Sequence, residues 1–321
     1  MARSEQLLAD YVAAGFRKLH LDCSMSCAGD PAVLGDAAVA ARAARLCAVA
    51  EKTWQRAGDE PPVYVVGTEV PVPGGAHEKL TGLQPTSPAA ATATIDAHQR
   101  AFAAAVLGHA WPRVVGLVVQ PGVEFDHYQV IDFRPERIAE LSGVIAAQPA
   151  LVYEAHSTDY QTAANLAALV RAHFAILKVG PGLSFALREA LWVLAQIESE
   201  LLPVGRGSGL RATVLAAMNA DPRHWEKYYA STGAQLQLDQ QYSLSDRLRY
   251  YWPVATVEHA LARMLANLEA NPPPLSLLSQ YLPRAYAAVR GGELAMHARD
   301  WVLHHVDGVL EQYGAACGAN G

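Results

Sequence analysis

One recurring unit constrains this chain more than any other feature. A short, continuous apolar run breaks into polar or charged residues, and a stretch with helical periodicity follows. The clearest copy is Leu151–Gln161, in which Leu151-Val152-Tyr153 passes directly into Glu154, His156, Ser157, Thr158 and Asp159. The unit predicts strands over 18–24, 63–69, 114–120, 150–153 and 174–180. Helices are expected over 36–56, 89–107, 135–147, 160–172 and 184–201, with a first helix over 4–14. Strands that are apolar throughout, rather than alternating, are buried on both faces, and strand–helix alternation builds a parallel sheet covered by helices. The sequence holds no Gly-x-Gly-x-x-Gly and no Walker loop, so doubly wound nucleotide-binding folds lack their phosphate-cradling signature. A (βα) barrel fits better, although a closed one needs eight strands and five are found.

After Leu202-Pro203 the pattern turns all-helical, with helices expected over 208–219, 223–230, 243–252, 256–268 and 299–313, punctuated by Pro272–Pro274 and Gly291-Gly292. The expected organisation is therefore a barrel-type domain over 1–202 and a helical C-terminal extension over 203–321. Apolar residues at 51% and charged residues at 17% exclude a disordered chain. A net charge of −6 without a basic block speaks against nucleic acid, and no uncharged apolar run is long enough to span a membrane. The N-terminal residues do not read as a signal peptide, and four scattered Cys suit reduced thiols, so a cytoplasmic protein is expected. Cys23 and Cys27 have no second Cys pair to complete a zinc knuckle.

Polar groups at the carboxyl ends of buried strands are where such folds place chemistry. His20 and Asp22 are two apart on a strand and so share a face. Glu69 ends an apolar run, where a carboxylate is costly to bury unless it binds something. Glu154 and His156 share a face and suit metal ligation or proton transfer; the alternative is a His–carboxylate hydrogen bond that holds a loop. Lys178 interrupts an apolar strand, as a phosphate binder, an enolate stabiliser or a Schiff-base lysine, or else as the ion-pair partner of a strand-end Glu. Glu124, Asp126 and His127 read as a solvated loop, 77–88 as a lid, and His304-His305 as surface. Tyr242–Pro253 combines hydroxyls, arginines and aromatics suited to a phosphate or sugar, or is simply a capped helix start. The expected catalytic residues are Asp22, Glu69, Glu154 and Lys178, and the expected metal ligands Asp22, Glu69, Glu154 and His156. Ser24, Gln120, Ser157, Asp246, Arg247 and Arg249 are the expected substrate contacts.

The segment Lys18–Pro31 resembles a signature of the non-catalytic subunit of class II tagatose-1,6-bisphosphate aldolase. Residues 67–75, 118–127, 152–161, 176–181 and 242–253 are similar to the same family, so the resemblance covers essentially the whole chain. Its members also carry the older name tagatose 6-phosphate kinase, which no phosphate-cradling glycine loop supports here. The resemblance implies an aldolase-type TIM barrel with a helical C-terminal region. It also implies that this chain lacks the first three strands and begins before strand four, which leaves an open edge at 18–24 prone to self-association. The catalytic class II aldolase, a distant relative, holds zinc with three His, two of them on strands matching 114–120 and 151–154. Here Pro121-Gly122 and Glu154 stand in those regions, whereas Asp22 and Glu69 match strand-end carboxylates of the relative. The resemblance therefore implies a cytoplasmic accessory subunit for the catalytic aldolase subunit in tagatose and galactitol catabolism, with a sugar or sugar phosphate as ligand. Its alternative is a ketohexose 4-epimerase that interconverts fructose and tagatose with a divalent metal, zinc, manganese or nickel. A homo-oligomer is compatible with either.

Overall fold

The computed structural model describes residues 1–31, 33–58, 60–67 and 83–318. The chain forms two compact units: among the described residues the first lies within 1–67, 83–124 and 131–178, and the second comprises 125–130 and 179–318.

The first unit is an α/β layer structure. Its strands are β1 (Lys18–His20), β2 (Val63–Gly67), β3 (Val114–Val118), β4 (Val152–Ala155) and β5 (Phe174–Leu177). They form one parallel sheet in the order β1-β2-β3-β4-β5, so each strand lies beside its predecessor and the order never reverses. Connections between parallel neighbours need a crossover, and helices supply it. α1 (Ala2–Ala13) precedes β1, α2 (Asp36–Ala57) and α3 (Pro88–Ala104) follow β1 and β2, and α4 (Ala139–Ala146) and α5 (Ala163–Arg171) follow β3 and β4. α2 buries Val39, Ala40, Ala43, Leu46, Cys47 and Ala50, spaced at helical period on one face, and stops at Gly58 in the left-handed region. α3 opens on Ser87, whose hydroxyl accepts from the Ala90 amide, with Pro88 at the first helical position. Tyr64, Val65, Leu117, Tyr153 and Phe174 are fully buried in the sheet, as continuous apolar strands require.

β1, β3 and β5 are shorter than the apolar runs suggest, and β4 is shifted two residues on so that it includes Glu154. β1 stops at His20, with one further sheet bond from the Leu21 amide to the Val65 carbonyl, and β3 stops at Val118. Strand β2 ends at Gly67, whose φ of 155° and close approach to β3 exclude a side chain: a Cβ there would lie 2.7 Å from Val118 Cβ and 2.8 Å from its carbonyl oxygen. Gly67→Ala is expected to destabilise the first unit by roughly 3 kcal/mol, because rigid backbone must move to admit one methyl group. Urea denaturation checks this, and a loss under about 1 kcal/mol would show that the two strands can part.

The second unit is helical. It contains α6 (Pro181–Leu201), α7 (Leu210–Ala220), α8 (Gly233–Tyr242), α9 (Ala255–Ala270), α10 (Leu275–Tyr281), α11 (Pro283–Gly291) and α12 (Ala298–Ala316). Its core includes Trp192, Leu194, Val214, Met218, Met264 and Trp301. The strand–helix alternation attaches 184–201 to the preceding strand, but α6 belongs to this second unit, where its apolar face packs on α7, α9 and α12. Two expected helices are instead 3-10 turns, at Pro222–His224 and Arg247–Tyr251. Asp246, at a φ of 45°, turns the chain into the left-handed region just before the second of them. Helix α8 escapes sequence reading because Gly233-Ala-Gln-Leu-Gln-Leu-Asp-Gln-Gln-Tyr242 has almost no apolar stripe. α10 and α11 lie between the prolines and glycines that read as loop: Pro274 precedes one, Pro283 opens the other, and Gly292 caps it. Among the described residues no helix is long and apolar enough to cross a membrane.

Candidate functional site

Five charged or ionisable side chains of the first unit converge near the carboxyl ends of β1, β4 and β5. Strand alternation turns Lys18 and His20 to one face of β1, and His156, one residue past the end of β4, lies on the same side as Glu154 of that strand. Lys178 follows the last residue of β5. Glu154 is the hub, with its side chain wholly buried. Its Oε2 accepts from Lys18 Nζ at 2.7 Å, and its Oε1 accepts from His156 Nε2 at 2.9 Å. Lys178 Nζ stands 3.0 Å from the same Oε1 and donates to His20 Nδ1 at 3.1 Å. The two imidazoles meet edge to face, with ring centres 5.4 Å apart. The loop after β4 is fixed to the end of β5: the Thr158 amide and hydroxyl both donate to the Lys178 carbonyl, at 3.3 and 2.7 Å. Within that loop Ser157 and Tyr160 hold positive φ values of 52° and 63°, a backbone that only a firmly held turn sustains in non-glycine residues.

These contacts set the protonation states. Burial by itself raises the Glu154 carboxyl, but the hydrogen bonds from His156, Lys18 and Lys178 outweigh it and hold the group well below the usual carboxylate range. Burial, and then the Lys178 ammonium, push His20 down to about 4, against the opposing pull of Glu154 and Asp22. His20 is therefore neutral at pH 7, accepting through Nδ1 and carrying its proton on Nε2. The unfolded chain protonates His20 below pH 6.5 and the folded chain only near 4, so this residue's contribution to stability falls as pH drops through that window. The stability difference between wild type and His20→Gln is expected to shrink by about 1 kcal/mol from pH 6 to pH 5. Urea melts of both proteins at both pH values measure it, and a difference independent of pH would contradict a neutral, buried His20.

One Glu154 oxygen and a nitrogen of each of His20 and His156 lie within 4.8 Å of one another, a donor set of the right residue types for a transition metal. The lone pairs are nevertheless committed. His20 Nδ1 and Glu154 Oε1 face the Lys178 ammonium, and His156 Nε2 spends its hydrogen on the carboxylate. A metal needs unprotonated donors at about 2.0–2.2 Å. As arranged, the described residues do not fit one.

Of the residues expected from sequence, Glu154, His156 and Lys178 come together, and both the Lys178–Glu154 ion pair and the His156–Glu154 hydrogen bond are present. Asp22 does not join them: β1 ends at His20, and the exposed Asp22 carboxylate accepts from the Ser24 amide and hydroxyl at 3.1 and 2.7 Å. That bond also occupies Ser24. Glu69 and the first half of the expected lid, 77–82, lie outside the described residues. Gln120 folds back to accept from the Gly122 and Val123 amides, which makes it a turn clamp. Ser157 sits in the loop that follows β4. Asp246, Arg247 and Arg249 belong to the second unit. Asp246 is buried, accepts from Ser184 Oγ, and is pushed up to about 6 by that burial. Arg249 donates to the carbonyls of Ser245 and Asp246, and the Arg247 guanidinium lies 3.2 Å from the centre of the Tyr228 ring. Glu124, Asp126 and His127 are not solvated: Glu124 and Asp126 are buried, Asp126 accepts from the Tyr128 and Gln129 amides, and half-buried His127 binds Ser243 Oγ and the Tyr228 carbonyl. Lys18 is the member that sequence reading missed. Its signal was the same alternation that pairs His20 with Asp22, read two residues upstream.

A family model for D-tagatose-1,6-bisphosphate aldolase subunit GatZ/KbaZ-like proteins matches residues 1–318. Among solved structures, the chain is similar to a protein described as a probable tagatose 6 phosphate kinase from Sinorhizobium meliloti 1021. The two share 45% identity over 98% of this chain and 77% of that one, with a TM-score of 0.88. A distant likeness is to fructuronate-tagaturonate epimerase UxaE from Cohnella laeviribosi, 13% identical over 98% of this chain and 66% of that one, with a TM-score of 0.48.

Proposed function

The chain belongs to the D-tagatose-1,6-bisphosphate aldolase subunit GatZ/KbaZ-like family, and on that premise we propose that it is the non-catalytic accessory subunit of a class II tagatose-1,6-bisphosphate aldolase. Its partner is the catalytic subunit, which cleaves the sugar bisphosphate to glycerone phosphate and glyceraldehyde 3-phosphate. The observation that carries this reading is the state of Glu154. Where a class II aldolase needs an imidazole free to hold zinc, this chain has a carboxylate engaged by two ammoniums and a histidine. The unreversed order of the five parallel strands supports an arc of an aldolase-type barrel as the frame. In the test, the catalytic subunit is assayed for tagatose 1,6-bisphosphate cleavage, and for half-life at the assay temperature, with and without this chain. A several-fold gain in activity or half-life is expected, retained with Glu154→Gln. No change at saturating chain would sink the reading.

A second reading rests on the same cluster. Buried charge is costly, and one Glu, two His and two Lys at strand ends form a set that can move protons on and off a sugar. In that case the chain is itself a sugar 4-epimerase acting on fructose and tagatose. Tagatose formation from fructose by the chain alone, abolished by Glu154→Gln, favours this reading over the first.

A further inference from the structure

We propose that Lys178 is the resident cation of the strand-end cluster, and that its ammonium is what keeps a divalent metal from His20, Glu154 and His156. Nζ lies 3.0 Å from Glu154 Oε1 and 3.1 Å from His20 Nδ1, which is the place a metal shared by that carboxylate and that imidazole would take. The third donor, His156 Nε2, points at the same oxygen from 2.9 Å. A dication there would face the Lys178 ammonium at contact distance, and like charges so placed exclude one another.

The two lysines are not equivalent. Lys18 binds the other carboxylate oxygen, Oε2, at 2.7 Å and leaves the side shared with the imidazoles clear. Once the Lys178 ammonium is removed, His20 Nδ1 presents its lone pair, and Glu154 is ionised and balanced by Lys18. His156 needs only the other neutral tautomer to present Nε2. Two imidazoles and one carboxylate are then a ligand set for zinc, nickel or cobalt. This deepens the reading of the same site, yet its readout is metal uptake by the isolated chain. It can therefore fail while the accessory role stands, and the reverse.

Cobalt(II) serves as the probe, added to the full chain as wild type, Lys178→Met, Lys18→Met, His156→Ala and the double variant Lys178→Met/His156→Ala. Bound metal is read by equilibrium dialysis and by the visible absorption of coordinated cobalt, and far-UV circular dichroism verifies the fold. Other groups, such as the half-buried His304 and His305 and the exposed Cys27 and Cys317, give a background common to all five proteins. Lys178→Met is expected to take up one equivalent about 100-fold more tightly than wild type. The double variant is expected to lose that uptake, and Lys18→Met to behave as wild type. The proposal is overturned if wild type already holds an equivalent that His156→Ala removes, if folded Lys178→Met gains nothing, or if Lys18→Met opens the site equally. Should Lys178→Met not fold, Lys178→Gln takes its place with the same outcomes, and the comparison of wild type with His156→Ala stands regardless.

Discussion

Replacing Arg113 by alanine lowers the stability of the first unit by about 3–5 kcal/mol, the largest loss expected from a single side chain there. Arg113 precedes β3 and grips Glu51 of α2 with both arms, at 2.8 and 2.6 Å, while also donating to the Pro62 carbonyl just before β2. One side chain thus fastens a helix and two strands at the amino end of the sheet. The Tyr64 hydroxyl donates to the same carboxylate, and the Trp54 ring lies 5.0 Å from the guanidinium carbon. Glu51 is buried, and burial alone would raise its carboxyl; the Arg113 and Tyr64 hydrogen bonds bring it below the ordinary value instead. Without Arg113 that charge stays buried with only Tyr64 and His109 beside it. Arg113→Lys recovers less than half of the loss, because one ammonium cannot form the two-armed contact. Adding Glu51→Ala to Arg113→Ala costs less than the sum of the two single losses. Urea melts followed by tryptophan fluorescence measure all four proteins. A loss below about 1 kcal/mol for Arg113→Ala would mean the pair is dispensable.

Glu154→Ala is the second large effect, expected to cost about 2–3 kcal/mol, whereas Lys178→Met costs less. The order follows from the geometry: Glu154 accepts from three side chains, and losing Lys178 leaves it Lys18 and His156. The figure is set below that for Arg113 because the Lys18 and Lys178 side chains are 41% and 40% exposed, so water takes over part of what the carboxylate supplied. Glu154→Gln falls between the two, since its amide still fills the space and keeps one acceptor. Chemical denaturation of the three variants tests the order. If Lys178→Met proves the more damaging, Lys178 and not Glu154 is the centre of the cluster.

Much of this was legible from the residues. Each of the five apolar runs holds a strand, and the run of strand–helix units predicts the parallel sheet. The pairing of Lys178 with a strand-end Glu was available as the plain electrostatic alternative to a catalytic lysine. Where the folded chain departs from the pattern of the residues, the causes are local. Asp22 looked like a pocket carboxylate because alternation was extended past the point where β1 stops. Ser24 and Gln120 were expected as substrate contacts, whereas each makes short-range bonds, Ser24 to Asp22 and Gln120 to the Gly122 amide, that leave no mark in a sequence pattern. Asp126 looked solvated for the same reason. Helix α8 was invisible because its polar residues run all the way round.

The sequence by itself determined the period of each element, the parallel sheet and the polar strand ends, because backbone geometry and burial act over a few residues at a time. Tertiary structure alone decided which strand ends meet. The contact of Lys178 with His20 spans 158 positions, and that of Lys18 with Glu154 spans 136. β1 and β5 are the two edges of the sheet, so partners this far apart meet only when the folded sheet brings its edges within hydrogen-bonding distance. That meeting gives the carboxylate expected to bind metal two lysines as partners.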